Sequence, residues 1–334
     1  MNRFNIFLVI SLLVVISCSE PSPREYKQIR GFTQGSTFNI MYYDSLNRDF
    51  SESINIILEK IDSSMSLYRD NSIINAFNNS SNGIAIDSLL AEVVMHSLRY
   101  AQETNGAFDI TVGPLVKAWG FHAKKGEMPE DKTIRDLMKF IGSEMIELNN
   151  LFLGKKHPKV KIDVNAIAQG FTVDQIAQNF ENEGIGNYLI EVGGEVRTLG
   201  KSPRGAHWLV GVDKPDDNAL SGDNLQVIIK LSGESLVTSG NYRKFFVKDG
   251  VKYSHTIDAQ TGYPVSHSLL SATVLDSTAT RADALATAFM VMGKERVIEW
   301  LLSNPGIEAY LVYSDEKGDF QVWMSEGMRE RIVE

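Results

Sequence analysis

Between residues 237 and 287 the chain carries Thr238-Ser239-Gly240, Ser254-His255-Thr256-Ile257-Asp258, Thr261-Gly262-Tyr263-Pro264 and Ala282-Asp283-Ala284-Leu285-Ala286-Thr287. Core packing does not need so many small, hydroxyl and acid/base residues. His255 and Asp258 stand three positions apart at an expected strand end, ahead of a turn. An imidazole and a carboxylate placed this way could face one site, the carboxylate orienting the ring or holding a metal. A solvated surface pair would satisfy the same spacing. Asp283 and Thr287 are four apart in an expected helix, so their oxygens lie on one face, one turn apart. Carboxylate plus hydroxyl is hard-oxygen ligation, suited to Mg²⁺, which keeps waters and shares substrate phosphates. The competing account makes Asp283 a helix-start charge favoured by the dipole and Thr287 a core residue.

Asp163-Val164-Asn165-Ala166-Ile167-Ala168-Gln169-Gly170 falls where a strand turns into a helix. Backbone amides at such an entry attract anions, and an exposed carbonyl there could join a metal shell. The segment lacks the Gly-x-x-x-x-Gly-Lys arrangement of a P-loop, so a plain structural helix start stays open. Gly193-Gly194 allows close backbone approach or a simple β-turn. Tyr68, in Ser66-Leu67-Tyr68-Arg69, could stack on a planar ring, as could Phe108 or Tyr242; each could equally be a core aromatic.

The elements that must position these residues follow from periodicity. Residues 32–43 read as a strand. Ser51 can cap a helix with Ile54, Ile57, Leu58, Ile61 and Met65 at helical spacing, and a second helix follows Asp87, burying Leu89, Val93, Val94 and Leu98, until Gly106. A helix over 130–140 leads to short strands at 145–153 and 160–163, and a helix over 166–183 stops at Gly184. From 188 to 271 short β runs alternate with Gly, Asp, Asn and Pro, among them 208–212, 225–231, 244–247 and 269–275. Helices return at 280–292 and 295–302, and strands 309–313 and 320–323 close the chain. Helices and strands are segregated, which predicts an α+β fold, a mostly antiparallel sheet flanked by helices, in a single catalytic domain with room for two lobes.

The chain has 334 residues, 43% hydrophobic and 22% charged, a globular composition. Arg3 precedes an apolar run over 6–16 that is too short to span a bilayer but has the length of a signal-peptide core. It ends at Val15-Ile16-Ser17-Cys18, a small residue before a cysteine, the bacterial lipoprotein cleavage pattern. We therefore expect a signal peptide over 1–17, lipidation of Cys18, a tether over 18–30 and a domain over 31–334. The expected location is the cell envelope, lipid-anchored and facing the periplasm. Cys18 is the only cysteine, which excludes internal disulfides, a thiolate nucleophile and Cys-ligated zinc in the mature domain. Loss of Arg3 with the signal makes the formal charge one unit more negative than -9, against binding to nucleic acid.

Taken in order, Met65-Ser66-Leu67-Tyr68, Ser72-Ile73-Ile74-Asn75-Ala76-Phe77-Asn78, Thr104-Asn105-Gly106-Ala107-Phe108-Asp109 through Pro114-Leu115, Trp119-Gly120-Phe121, residues 163–174, Glu191-Val192-Gly193-Gly194-Glu195, Thr238-Ser239-Gly240-Asn241-Tyr242, Ser254-His255 through Pro264, and residues 282–287 resemble the FAD:protein FMN transferase family, called ApbE and formerly thiamine-biosynthesis lipoproteins. The resemblance covers nearly the whole mature chain and implies a reaction. FAD is split at its pyrophosphate, FMN is joined to a Thr or Ser hydroxyl of an exported target flavoprotein, such as a redox ion-pump subunit, and AMP leaves. It implies His255 as base with Asp258 as its partner. Mg²⁺ would be held by Asp283, Thr287 and the carbonyl of Ala166. FAD would contact Tyr68, Ala107, Phe108, Asp109, Asp163, Gln169 and Ile257. Many relatives have Lys at the position of Gln169, Met at that of Gln34, Thr at that of Ser36 and Pro-Arg at Ala259-Gln260. Two other classes share these residues: an FAD pyrophosphatase, with water as acceptor, and a flavin-binding lipoprotein without catalysis, which would need no base.

Overall fold

The computed structural model describes residues 25–120, 128–214, 225–241, 245–248, 251–254 and 256–333, with backbone alone for 245–248 and 251–254. The chain opens on a hairpin of β1 (Lys27–Thr33) and β2 (Ser36–Tyr42). Gln34 and Gly35 join the strands with φ of 49° and 74°, the paired positive values that a two-residue hairpin turn demands. The sheet thus begins inside the stretch assigned to the tether. Gln28, Arg30 and Gly31 are exposed on an edge strand, and that polar alternation reads as linker in sequence. The expected single strand over 32–43 is the hairpin's second half.

Helix α1 (Ser51–Met65) buries Ile54, Leu58, Ile61 and Met65 as its spacing requires. The short α2 (Ile73–Asn79) starts on Ser72, whose hydroxyl accepts the Asn75 N–H. After β3 (Gly83–Ala85), Asp87 caps α3 (Ser88–Glu103) by accepting the Leu90 N–H. Helices α4 (Gly113–Ala118) and α5 (Asp131–Met138) precede β4 (Ile146–Asn149) and β5 (Phe152–Lys155). These two pair with β3 in a three-stranded antiparallel sheet, so the strand expected over 145–153 is a hairpin turning at Asn150, φ 53°. The stretch expected as a strand over 160–163 joins no sheet and is pinned by a side chain instead, as described below.

Helix α6 (Ala168–Asn182) leads to β6 (Tyr188–Val192) and β7 (Glu195–Leu199). Strands β8 (Trp208–Asp213) and β9 (Leu225–Leu231) form a second three-stranded sheet with the terminal β16 (Ile332–Val333). Then come β10 (Ser235–Gly240), the small hairpin β11 (Phe245–Lys248) and β12 (Val251–Ser254), β13 (Leu269–Asp276), α7 (Ala279–Met292), α8 (Lys294–Ser303), β14 (Glu308–Ser314) and β15 (Phe320–Met324). The main sheet has eight strands in the order β1-β2-β6-β7-β10-β13-β14-β15, and every neighbouring pair is antiparallel. Chain order is spatial order, and the helices are insertions between sheet strands. The α+β architecture follows from that connectivity, because antiparallel neighbours need no crossover helix.

Helix α7 is the centre of the molecule. Ala279, Ala282, Ala284, Leu285, Ala286, Ala288, Phe289, Met290 and Val291 are all buried, on every side of the helix, and only small residues let α6, β10 and β13 approach it. Its N-terminus has no cap of its own, since Thr278 makes no side-chain bond there. Asp174 of α6 supplies one: Oδ1 accepts the Ala279 N–H at 3.0 Å, and Oδ2 accepts the Thr280 N–H at 2.8 Å and hydroxyl at 2.6 Å. Arg197 of β7 pairs with the same carboxylate at 2.6 Å. Asp174→Ala strands helix-start donors and a half-buried guanidinium, so we expect a loss of about 3 kcal/mol, read as a lower urea midpoint. Asp174→Asn, which keeps an acceptor oxygen, should recover part of it; an unchanged midpoint for the alanine variant would remove Asp174 as the cap.

Candidate active site

At the crossing of α6 and α7 the two helix backbones approach closely. A Cβ on Gly170 would lie 2.3 Å from the Ala279 carbonyl oxygen and 2.8 Å from the Asp283 Cβ, so only glycine fits there. The Gly170 N–H, which in an unbroken helix would close onto the Ala166 carbonyl, donates instead to Asp283 Oδ2 at 3.0 Å. Ile167, at φ -152° and ψ -20°, breaks the helical path just before α6 and leaves the Ala166 carbonyl outside the helix ladder. Asp283 is 5% exposed. Burial pushes its carboxyl up to about 7, the Gly170 N–H works against that, and the negative charge of Asp174 adds to it.

One turn along α7, Thr287 Oγ1 lies 3.4 Å from the hydroxyl of Ser239 in β10. The reading of Asp283 as a helix-start charge does not hold, because Asp174 does the capping and Asp283 is turned into the helix crossing. Ser239 sits beside Thr287 although its sequence block singled out no role for it. Among the described residues no three His, Cys, Asp or Glu side chains gather as a metal cluster. A cation here would rely on one carboxylate with hydroxyl and carbonyl oxygens, and this donor set fits Mg²⁺ sharing substrate phosphates.

Gly193 and Gly194 form the tight turn between β6 and β7, with φ of 70° and 113°. A Cβ on Gly193 would stand 2.1 Å from Gln169 Nε2 and 3.0 Å from Glu195 Oε2, so the pair is both a turn and a close approach to Gln169. Gln34, at the hairpin tip, donates to the Thr172 hydroxyl of α6 at 2.7 Å and brings that tip to the same end of the helix.

Asp163 and Asp109 are joined through the backbone. The Asp163 N–H donates to the Ile110 carbonyl at 2.7 Å, and Asp163 Oδ1 accepts the Asn165 N–H at 2.9 Å. Asp109 Oδ1 accepts the Thr111 N–H at 2.7 Å and hydroxyl at 2.6 Å. Burial raises the Asp109 carboxyl, Thr111 pulls it back, and Glu144 adds a like charge. Phe108 is 2% exposed and meets the Tyr100 ring edge-on at 6.4 Å. Its ring is core and cannot stack on a ligand, which leaves only backbone for any contact at that position. Ala107 is buried with it. Tyr68, by contrast, is 79% exposed and its ring is available; Tyr242 lies outside the described residues.

Two asparagines that sequence reasoning passed over hold these parts together. Asn75 Nδ2 donates to the carbonyls of Leu67 at 3.1 Å and Arg69 at 2.9 Å, fixing the loop that carries Tyr68. Asn78, one turn on, accepts the Ile162 N–H at 2.8 Å and donates to the Ile162 carbonyl at 2.9 Å, fixing the approach to Asp163. The available signal was their i, i+3 spacing on a helix whose other residues, Asn79 apart, are Ile, Ala and Phe.

The loop after residue 255 docks on the same region. Ile257 bridges Pro264 and is buried with Leu115, Trp119 and Ile134. Trp119 Nε1 donates to the Gly262 carbonyl at 2.9 Å, and Gln260 Nε2 donates to the Asn105 carbonyl beside residues 107–109. Asp258 Oδ1 accepts the Gln260 N–H at 2.8 Å, so one carboxylate oxygen shapes this turn. Thr256 donates to Asn241 Oδ1 at 2.7 Å and ties the loop to the end of β10. His255 itself lies outside the described residues, as do residues 1–24 with Cys18. Among the described residues no helix is long and apolar enough to cross a membrane.

Known proteins resemble the chain over this whole arrangement. The model of the ApbE family matches residues 34–311. The FAD:protein FMN transferase of Vibrio cholerae is 37% identical over 294 residues, 86% of either chain. That of Escherichia coli strain K12 is 32% identical over 98% of this chain and 96% of its own. Among solved structures, the flavin transferase ApbE from Vibrio cholerae superposes with a TM-score of 0.83 at 34% identity, covering 92% of this chain and 100% of that one. The ApbE protein of Thermotoga maritima does so with a TM-score of 0.79 at 30% identity, covering 93% and 100%.

Proposed function

The chain belongs to the ApbE family and is a flavin transferase of the FAD:protein FMN type, and from that premise we propose a Mg²⁺-dependent reaction in which FMN passes from FAD to a Thr or Ser hydroxyl of an exported flavoprotein and AMP leaves. The observation that carries this reading is the buried Asp283 carboxyl at the α6–α7 crossing, which accepts the Gly170 N–H that an unbroken helix would give to the Ala166 carbonyl and lies one turn from Thr287. A carboxyl raised by burial in a helix of mostly apolar residues is what core packing avoids and an oxygen-ligated cation uses. Asp283, Thr287 and Ala166 would hold Mg²⁺, which when bound offsets charge on the diphosphate and polarises the phosphoryl group.

The chain's own residues do the rest. His255 takes the proton of the attacking hydroxyl, whose oxygen forms a bond to the flavin-side phosphorus while the phosphorus–oxygen bond to AMP breaks. Asp258 orients that loop through its turn with Gln260. The exposed Tyr68 ring covers the flavin and restricts water, favouring the protein acceptor over hydrolysis. Backbone at residues 107–109, Asp163, Gln169 and Ile257 border the nucleotide. Cys18 carries the lipid that anchors the domain at the outer side of the cytoplasmic membrane or beyond it.

The test incubates the protein with FAD, Mg²⁺ and a flavoprotein bearing the acceptor hydroxyl, and looks for fluorescence that survives denaturing electrophoresis. Free FMN with no labelled protein would make water the acceptor, and unchanged FAD would leave binding alone. His255→Ala should abolish transfer, a loss of at least about 100-fold, while retaining FAD binding. Turnover retained in that variant rejects the base.

A further inference from the structure

Strand β10 sends alternate side chains to opposite faces of the main sheet. Thr238 points to one face, where its hydroxyl meets that of Thr273 in β13 at 2.8 Å, a cross-strand pair that stabilises the sheet. Val237 and Ser239 point to the other, toward α7. Their register partners, Val274 and Ala272, are buried in the same core as Val237 and the α7 residues Ala282, Ala286 and Phe289. Ser239 is thus the polar member of an apolar face, and its hydroxyl lies 3.4 Å from Thr287 Oγ1. If small size were all the position required, alanine would serve as well.

The Thr287 hydroxyl is not spent on its own helix. Ser97, Thr104 and Thr172 each donate to the carbonyl four residues back, at 2.7, 2.7 and 2.8 Å, the bond that a helix offers any threonine. Thr287 makes no such bond, and among the described residues its hydroxyl meets Ser239 alone. A hydroxyl carries one proton and two lone pairs. When the oxygen gives a lone pair to a cation its proton must point away, and the acceptor in reach is Ser239 Oγ. At 3.4 Å the pair is looser than the about 2.7 Å usual for two hydroxyls, so the lone pairs stay uncommitted in the metal-free protein. A cation on the oxygen polarises the O–H and strengthens it as a donor. Both side chains are half-buried, which leaves the Ser239 proton to solvent.

We propose that Ser239 is a positioning residue for the cation: by accepting the Thr287 hydroxyl proton it keeps that side chain off the Asp283 carbonyl and turns its oxygen toward the ion that the Asp283 carboxylate also serves. This rests on the reading of Asp283, Thr287 and Ala166 as the residues that hold Mg²⁺. Outer partners of this kind fix the orientation of a ligand, and losing one weakens metal binding about 10- to 100-fold.

The experiment titrates the protein with Mg²⁺ alone by calorimetry, at a pH above the raised Asp283 value of about 7. Ser239→Ala should bind Mg²⁺ at least about tenfold more weakly than wild type, with its urea midpoint in EDTA unchanged. Ser239→Thr, which keeps the hydroxyl, should restore the affinity. With FAD and an acceptor present, the half-activating Mg²⁺ concentration of Ser239→Ala should rise by the same factor, while the rate at saturating Mg²⁺ returns to near wild type. Thr287→Val closes the cycle: if Ser239 acts through that hydroxyl, adding Ser239→Ala to Thr287→Val weakens Mg²⁺ binding no further. Wild-type affinity in Ser239→Ala overturns the proposal, and so does an additive loss in the double variant. A urea midpoint that falls in EDTA along with the affinity makes Ser239 a packing residue and overturns it as well. Wild type that takes up no Mg²⁺ rejects the cation site itself, an outcome separable from the others because it precedes any substitution.

Discussion

Asp283→Asn is expected to lose flavin transfer by about 100-fold or more, equivalent to about 3 kcal/mol of transition-state stabilisation, and the metal-free variant should nonetheless be more stable than wild type at pH 8. Both effects come from one carboxyl. The amide keeps an oxygen where Oδ2 accepts the Gly170 N–H at 3.0 Å, so the helix crossing survives. What disappears is the charge that would offset a cation. The stability change has a definite sign with pH. The carboxyl is raised from 3.8 to about 7 by burial. Below about pH 4 it is protonated both folded and unfolded, and contributes no difference. As pH rises from there to about 7, the unfolded chain releases the proton while the native chain keeps it, so wild type loses stability across that window. Above about 7 the buried charge carries its full cost, a few kcal/mol at most. The asparagine variant has no such term. Urea unfolding in EDTA should show the variant's advantage absent near pH 4, growing to pH 7 and then level. Added Mg²⁺ should stabilise wild type at pH 8 and leave the variant unmoved. A variant with a normal Mg²⁺ response and rate would remove Asp283 as a ligand. One less stable than wild type at pH 8 would mean the charge is already compensated in the metal-free fold.

How much of this was legible in the sequence differs residue by residue. Asp283 was readable because a lone acid among Ala282, Ala284, Leu285 and Ala286 has no solvated face to occupy, and the four-residue step to Thr287 survives into the helix. The antiparallel α+β design was readable from segregated β runs, since such neighbours connect without crossovers. The hairpin at Gln34-Gly35 was not: a glutamine at positive φ is an unfavoured turn residue, held here by its bond to Thr172. The segment at 160–163 has strand periodicity but no strand partner. Its hydrogen bonds go to the Asn78 side chain, a long-range contact that local pattern does not encode. Phe108 was open to a stacking role because composition does not reveal which aromatic the core takes, and the core took it. Asp174 as a cap for another helix was hidden for the same reason, its partners lying more than a hundred residues away.

Gly170→Ala, a change that ordinarily stabilises a helix by about 1 kcal/mol, is expected here to destabilise by about 3 kcal/mol and to remove activity with it. The added Cβ meets the Ala279 carbonyl oxygen at 2.3 Å and the Asp283 Cβ at 2.8 Å. Neither is the free end of a flexible side chain. Helix α7 cannot step back to make room, because Ala282, Ala286, Phe289 and Met290 are buried against the rest of the core. The clash must then open the α6–α7 crossing, which lengthens the Gly170 N–H contact to Asp283 and shifts the carboxyl relative to Ala166. Stability and chemistry are coupled at this glycine by geometry rather than by any side chain of its own. Gly186→Ala is the control: nothing lies within 4 Å of its added Cβ, and its φ is not positive. Urea midpoints and transfer rates measured together should fall for Gly170→Ala and stay near wild type for Gly186→Ala. A Gly170→Ala protein that unfolds at the wild-type midpoint and transfers flavin at the wild-type rate would mean that the two helices are not locked at this point, and that Asp283 is not positioned by their contact.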